Sequence, residues 1–215
     1  MNRMRAVSAV CAFVAAATTA ALWANQPADA QQPAGGEPPA MSPEAMEMMQ
    51  AFAEAGKPGV QHELLKQLEG TWDATVSMWM PGEAEPMVST GTMRNTMVHD
   101  GRYLSHEFRG EFGGGVYTGS GMFGYNNTSK RWEGTWAGNS STHIMFSTGT
   151  FDGRRGEWTM TSEFDHPQGY RCKQREVTRM NGPDAHMMTT YLTDKDGKEQ
   201  KAMEITYKRA VEKKE

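Results

Sequence analysis

Between Gly70 and Arg209 the chain alternates apolar and polar residues in about ten short stretches, each roughly 8 to 12 residues long. No stretch there has the period of a long helix. In residues 71–80, Trp72, Ala74, Val76, Met78 and Met80 share one parity, and Thr71, Asp73, Thr75 and Ser77 the other. Strand side chains alternate between faces, so the first set is predicted to point inward. Residues 157–164 repeat the pattern with Trp158, Met160 and Phe164 inside. Residues 198–209 put Met203, Ile205, Tyr207 and Arg209 on the inner face. The remaining strands are predicted over 87–98, 102–112, 116–125, 130–137, 142–151, 170–180 and 186–193. Turn dipeptides separate many of them: Asp100-Gly101, Asn126-Asn127, Asp152-Gly153, Gln168-Gly169, Asn181-Gly182 and Asp196-Gly197. Such links are too short for crossover helices, so neighbouring strands run antiparallel. The expected fold is all-β, an antiparallel up-and-down barrel of about ten strands over residues 59–210, with a charged tail at 211–215.

The region before the barrel has a different grammar. Arg3 and Arg5 precede an uncharged Ala-rich run over residues 6–24, and Ala28-Asp29-Ala30 forms a small-x-small cleavage site before Gln31. This is the pattern of a signal peptide over residues 1–30, and it predicts a periplasmic or secreted protein with no stable membrane insertion after cleavage. An uncleaved anchor is the competing reading of the same run. A Pro/Gly/Gln-rich linker follows, and then a short N-terminal helical segment. Ser42 stands at its N-cap, Pro43 at its first position, and Met46, Met49 and Ala53 on one face. Linker and amphipathic helix together occupy residues 31–58, the helix lying on the barrel or a neighbour. A second helical piece over 62–68 leads into the first strand.

Removing Arg3, Arg5 and Asp29 takes the formal charge from −4 to about −5, an acidic balance that argues against nucleic acid as a partner. Only Cys172 then remains, so no internal disulfide forms and the core must hold the fold. Gly119-Ser120-Gly121-Met122-Phe123-Gly124 matches a dinucleotide fingerprint, but it sits in a strand with no helix after it, so the glycines are assigned to strand bending. The histidines form no local metal motif, and no metal site is expected.

Gly70-Thr71-Trp72 at the head of the first strand resembles the Gly-x-Trp signature of lipocalin-like (calycin) barrels. That resemblance implies an arginine from the last strand across the tryptophan, for which Arg209 is the match, giving Trp72 and Arg209 as the barrel closure. Further blocks extend it over roughly residues 56–209. They are His62-Glu63-Leu64-Leu65, Gly101-Arg102-Tyr103-Leu104, the glycine block continued through Tyr125-Asn126-Asn127, and Met203-Glu204-Ile205-Thr206-Tyr207. Together they resemble a bacterial family known as domain of unknown function 1579. The family implies a lipocalin-like barrel and no particular activity. It carries Asp where this chain has Asn126, an exchange of one turn residue for another.

A barrel of this width encloses a cavity, so the expected function is non-catalytic binding of a small apolar or amphipathic molecule. Inner parity nominates Met78, Met80, His106, Phe108, Trp158, Met160, Phe164, Cys172, Glu176, Met203 and Ile205 for its wall. Methionine is frequent in that set and adapts to irregular apolar shapes. No catalytic residue is assigned, and no cofactor is expected. Two alternatives remain open: an enzyme using an internal His106 or Glu176, and a haem-binding barrel related in shape to nitrobindins, with His106 or His186 as axial ligand.

Overall fold

The structure is a computed structural model that describes residues 41–211. The expected leader, most of the linker and residues 212–215 lie outside the described residues. Helix α1 runs Pro43–Ala55, opened by Ser42, whose Oγ accepts the Ala45 N–H at 3.2 Å. Helix α2 runs Val60–Leu65 and is capped by its own first turn, the Gly59 N–H donating to His62 Nδ1 at 2.9 Å. Ten strands follow: β1 Gly70–Met78, β2 Met87–Val98, β3 Tyr103–Phe112, β4 Gly115–Asn126, β5 Arg131–Gly138, β6 Met145–Asp152, β7 Glu157–Asp165, β8 Arg171–Met180, β9 Ala185–Thr193 and β10 Glu199–Arg209. Each pairs antiparallel with the next, and β10 returns to β1, so the sheet closes into a ten-stranded up-and-down barrel.

Closure runs from Trp72↔Arg209 to Met78↔Met203. It preserves the inward parity of Trp72, Ala74 and Val76, all buried while Thr71, Asp73 and Thr75 are exposed. The tightest hairpin joins β3 to β4 through Gly113 and Gly114 alone. Both have positive φ, +59° and +81°, which only glycine adopts without strain and which matches the twist of the flanking strands. Gly119 lies mid-strand in β4, where a Cβ would collide with the Trp136 ring. The glycine block therefore makes room for an aromatic side chain, and no helix starts there.

Two packed clusters occupy parts of the interior. Leu65, the last residue of α2, and Leu68 just after it pack with Leu104, Trp132, Trp158 and Met160. Trp72, Ala74, Val76, Met93, Phe108, Ile205 and Tyr207 form the second. The wall is not uniformly zipped. β6 pairs with β7 from Asp152↔Glu157 only as far as Thr148↔Thr161, so residues 145–147 bond to β5 alone. Between Ser120↔Ala137 and Phe123↔Gly134, Met122 N–H donates to the Thr135 hydroxyl (3.1 Å) instead of to a ladder carbonyl.

One expectation needs correction here. β1 stops at Met78, because Trp79 N–H leaves the alternation to bond Ala202 O (2.9 Å) beside an irregularity in β10, so Met80 is not a wall residue and is 45% exposed. Among the described residues helix α1 buries none of its own, with Met48, Met49 and Phe52 exposed, and of the two supports expected for its apolar face, the barrel or a neighbour, the neighbour remains open. What holds the end of α1 is polar: Asn127 Nδ2 donates to Ala55 O and Lys57 O (2.9 and 2.8 Å), and Arg102 Nε donates to Gly56 O (2.9 Å).

Candidate functional site

The end of the barrel next to α2 is shut by a knot of directed contacts. The Trp72 ring is fully buried, its Nε1–H donating to Leu68 O at 2.8 Å. The Arg209 guanidinium sits 4.1 Å from the Trp72 ring centroid. Its other edges bond Asp184 Oδ1 (3.0 Å), Glu69 O (2.8 Å) and Pro183 O (2.9 Å). One cation thus ties the segment before β1, the β8–β9 turn and the end of β10.

Beyond this knot the barrel holds a cavity of about 390 Å³ that extends toward the opposite rim, where Glu111, Phe112 and Ser140 line it. Met78, His106, Phe108, Trp158, Met160, Glu176, Met203 and Ile205 all form its wall. Cys172 and Phe164 do not. They pair with each other one step from the β7–β8 hairpin end, beyond the last β6–β7 register pair, where the inner face no longer looks onto the cavity. Cys172 is buried with its Sγ 3.3 Å from Thr193 O, and Phe164 stacks on His143 at 5.5 Å.

The cavity floor is polar. Leu68 O accepts a second hydrogen bond, from Asn95 Nδ2 (2.8 Å), and Asn95 Oδ1 lies 2.8 Å from His106 Nδ1. Turned over, the Asn95 amide would set its oxygen against the Leu68 carbonyl, so the orientation is forced and Oδ1 is the acceptor. His106 Nδ1 therefore carries the proton. Burial pushes the His106 pKa down to about 4, so the ring is neutral at pH 7 and Nε2 holds a lone pair. His186 packs edge-on to Trp72 (4.4 Å) and flat against Tyr207 (4.3 Å). Its pKa is also pushed down to about 4, by burial first and then by the neighbouring His106 and Arg209. Asn95 is a site residue that the sequence reading did not single out; its parity with Met93 would have found it.

Glu176 enters the same space from β8, opposite Thr190 of β9. Burial raises its pKa to about 7. The Tyr207 phenol is pushed up as well, by burial and by the charge of Glu176, and stays protonated. Three buried wall atoms have no protein partner among the described residues: His186 Nδ1, Thr190 Oγ1 and Trp158 Nε1. Buried polar groups are ordinarily hydrogen-bonded, so these atoms call for a partner beyond the protein, water or a bound molecule. The arrangement is an apolar chamber of thioethers and aromatic rings with a few converging polar atoms, the composition of a small-molecule site.

Comparison with known proteins agrees with this architecture. A phycobiliprotein lyase of the S type, CPES from Guillardia theta, superposes with a TM-score of 0.53 at 15% identity, covering 73% of this chain and 100% of that one. Rv2717c from M. tuberculosis gives a TM-score of 0.53 at 14% identity, covering 72% and 100%. At these identities the likeness is one of fold. No curated protein sequence matches the chain. The model of one family, described as Protein of unknown function (DUF1579), matches residues 57–209, which takes in α2, the Trp72–Arg209 closure and every strand of the barrel, and the chain belongs to that family.

Proposed function

We propose that this protein carries a small apolar or amphipathic molecule inside its barrel without transforming it. The observation behind the reading is the cavity of about 390 Å³, whose wall joins Met78, Met160, Met188 and Met203 to aromatic rings and sets a few polar groups, Asn95, His106 and Glu176 among them, into that surface. A neutral polarity-sensitive dye such as N-phenylnaphthylamine tests it. Its fluorescence is expected to rise and saturate at one dye per chain, and Met203→Trp, which fills the chamber, is expected to weaken uptake at least about tenfold. Saturable uptake that survives Met203→Trp unchanged would place the dye elsewhere and count against the reading. Haem, with His106 or His186 as its ligand, is the alternative occupant, and a Soret band on adding haemin would favour it.

The protein works outside the cytoplasm on this reading. The support is the basic start at Arg3 and Arg5, the apolar run and the Ala28-Asp29-Ala30 site. N-terminal sequencing of periplasmic or secreted protein is expected to begin at Gln31. Full-length chain recovered from the membrane fraction would overturn this.

A further inference from the structure

We propose that the cavity selects an amphipathic amine, a molecule with an apolar body and a protonated nitrogen headgroup that docks against the Glu176 carboxylate. This rests on the binding reading above and adds the headgroup's charge.

The charge of the wall is one-sided. Glu176 and Glu111 line the cavity, Glu111 at its exposed rim, and no lysine or arginine among the described residues does. Arg175, next to Glu176 in sequence, and Arg209, beside His186 of the cavity wall, are committed elsewhere. Arg175, on the other face of β8, holds both Glu199 oxygens (2.9 and 2.7 Å) and lies over Tyr191. Arg209 is bound to Asp184 and to backbone carbonyls behind Trp72. Glu176 is thus an interior carboxylate without a cationic partner among the described residues. A bound cation would supply that partner; a bound carboxylate would add a second negative charge beside it.

Two of the polar atoms in the wall suit the same headgroup, although the unpartnered Trp158 Nε1–H is a donor that an ammonium leaves to another acceptor. His106 Nε2 offers a lone pair and no proton, by the Asn95 argument above. Thr190 Oγ1, buried and unpartnered, stands in register with Glu176 across the β8–β9 ladder. An ammonium group has donors and no acceptor, the complement of these atoms. The rings of Phe108, Tyr117, Trp136 and Tyr207 also line the cavity, and an aromatic face attracts a cation rather than an anion.

The titratable groups that share the cavity wall with Glu176 are Tyr207 from β10, His186 from β9 and His106 from β3, with Glu111 at the rim. Between pH 5.5 and 8.5 both histidines stay neutral and Tyr207 stays protonated, so Glu176 is the interior group that titrates. Only its ionised form pairs with the amine. With a pKa of about 7 in the empty cavity, the ionised fraction and hence amine affinity rise about thirtyfold across that range.

The test is displacement of N-phenylnaphthylamine from the purified protein by octylamine, octanol and octanoate, which share one chain length and differ in headgroup. At pH 8.5 octylamine is expected to bind at least about tenfold tighter than octanol, with octanoate weakest. At pH 5.5 the amine's advantage should largely vanish, and Glu176→Gln should remove it at both values. The comparison on the unmodified protein stands even if the variant fails to fold. Octanoate binding as tightly as octylamine, or an amine preference that survives Glu176→Gln, would overturn the charge assignment while leaving the binding reading intact. Failure of the dye and all three ligands to bind would remove both.

Discussion

Trp72→Ala is expected to cost about 3–5 kcal/mol, measured as the shift in a urea unfolding midpoint. The ring is fully buried, meets His186 edge-on at 4.4 Å, donates to Leu68 O, and carries the Arg209 guanidinium on its face. Removing it leaves a cavity where three elements meet and takes away a cation–π contact worth about 0.5–2 kcal/mol. Arg209→Met should cost less, because its aliphatic chain still covers the ring and the arginine is partly solvent-exposed. Similar losses for the two variants would mean that the ion, rather than the ring, does most of the closing.

The second large effect is an acid sensitivity with opposing contributions. His106 and His186 each have a folded pKa of about 4 against 6.5 unfolded. The unfolded chain binds more protons between those values, so stability is full above pH 6.5 and is lost as pH falls toward 4, by about 3 kcal/mol for each ring. Glu176 runs the other way. Its folded pKa of about 7 exceeds the unfolded 4.5, so its contribution is full below pH 4.5 and is lost as pH rises through 7. From pH 7 to 4.5 the glutamate offsets roughly one histidine, leaving a net loss of about 2 kcal/mol. Glu176→Gln removes the offset. It should stabilise the protein at pH 8.5 and make the acid limb steeper, whereas an unchanged limb would mean that Glu176 reaches water freely. Urea titrations of both proteins from pH 4.5 to 8.5 read this directly.

The strands and their order were legible because two local signals agreed. Parity in stretches such as Trp72-Asp73-Ala74-Thr75-Val76 marked the faces, and dipeptides such as Asp152-Gly153 marked the turns. The Trp72–Arg209 pairing was legible through resemblance, which supplied a contact that no local pattern encodes. Height along the barrel was not legible. Parity says that a side chain points inward but not what lies there, so Cys172 and Phe164 share the inner face with Glu176 and Met160 yet miss the cavity. Met80 failed for another reason: a strand end is set by the partner strand, here the irregularity between Lys201 and Met203. Asn95 lay hidden in a polar run, Arg94-Asn95-Thr96, and its role depends on a carbonyl 27 residues away.

The meander makes nine of its ten strand pairings between sequence neighbours and leaves one, β1 with β10, to join segments separated by nearly the whole domain. Arg209 and Glu69 are 140 residues apart. The entropy of closing so long a loop must be met before the pairing returns anything, which puts this seam late in folding. On the ribosome β1 emerges first and must keep a bare hydrogen-bonding edge until β10 follows, the interval in which such an edge recruits another chain. The arginine that locks the barrel is among the last of its residues to be synthesised, so a chain cut short before it would carry two open edges instead of none.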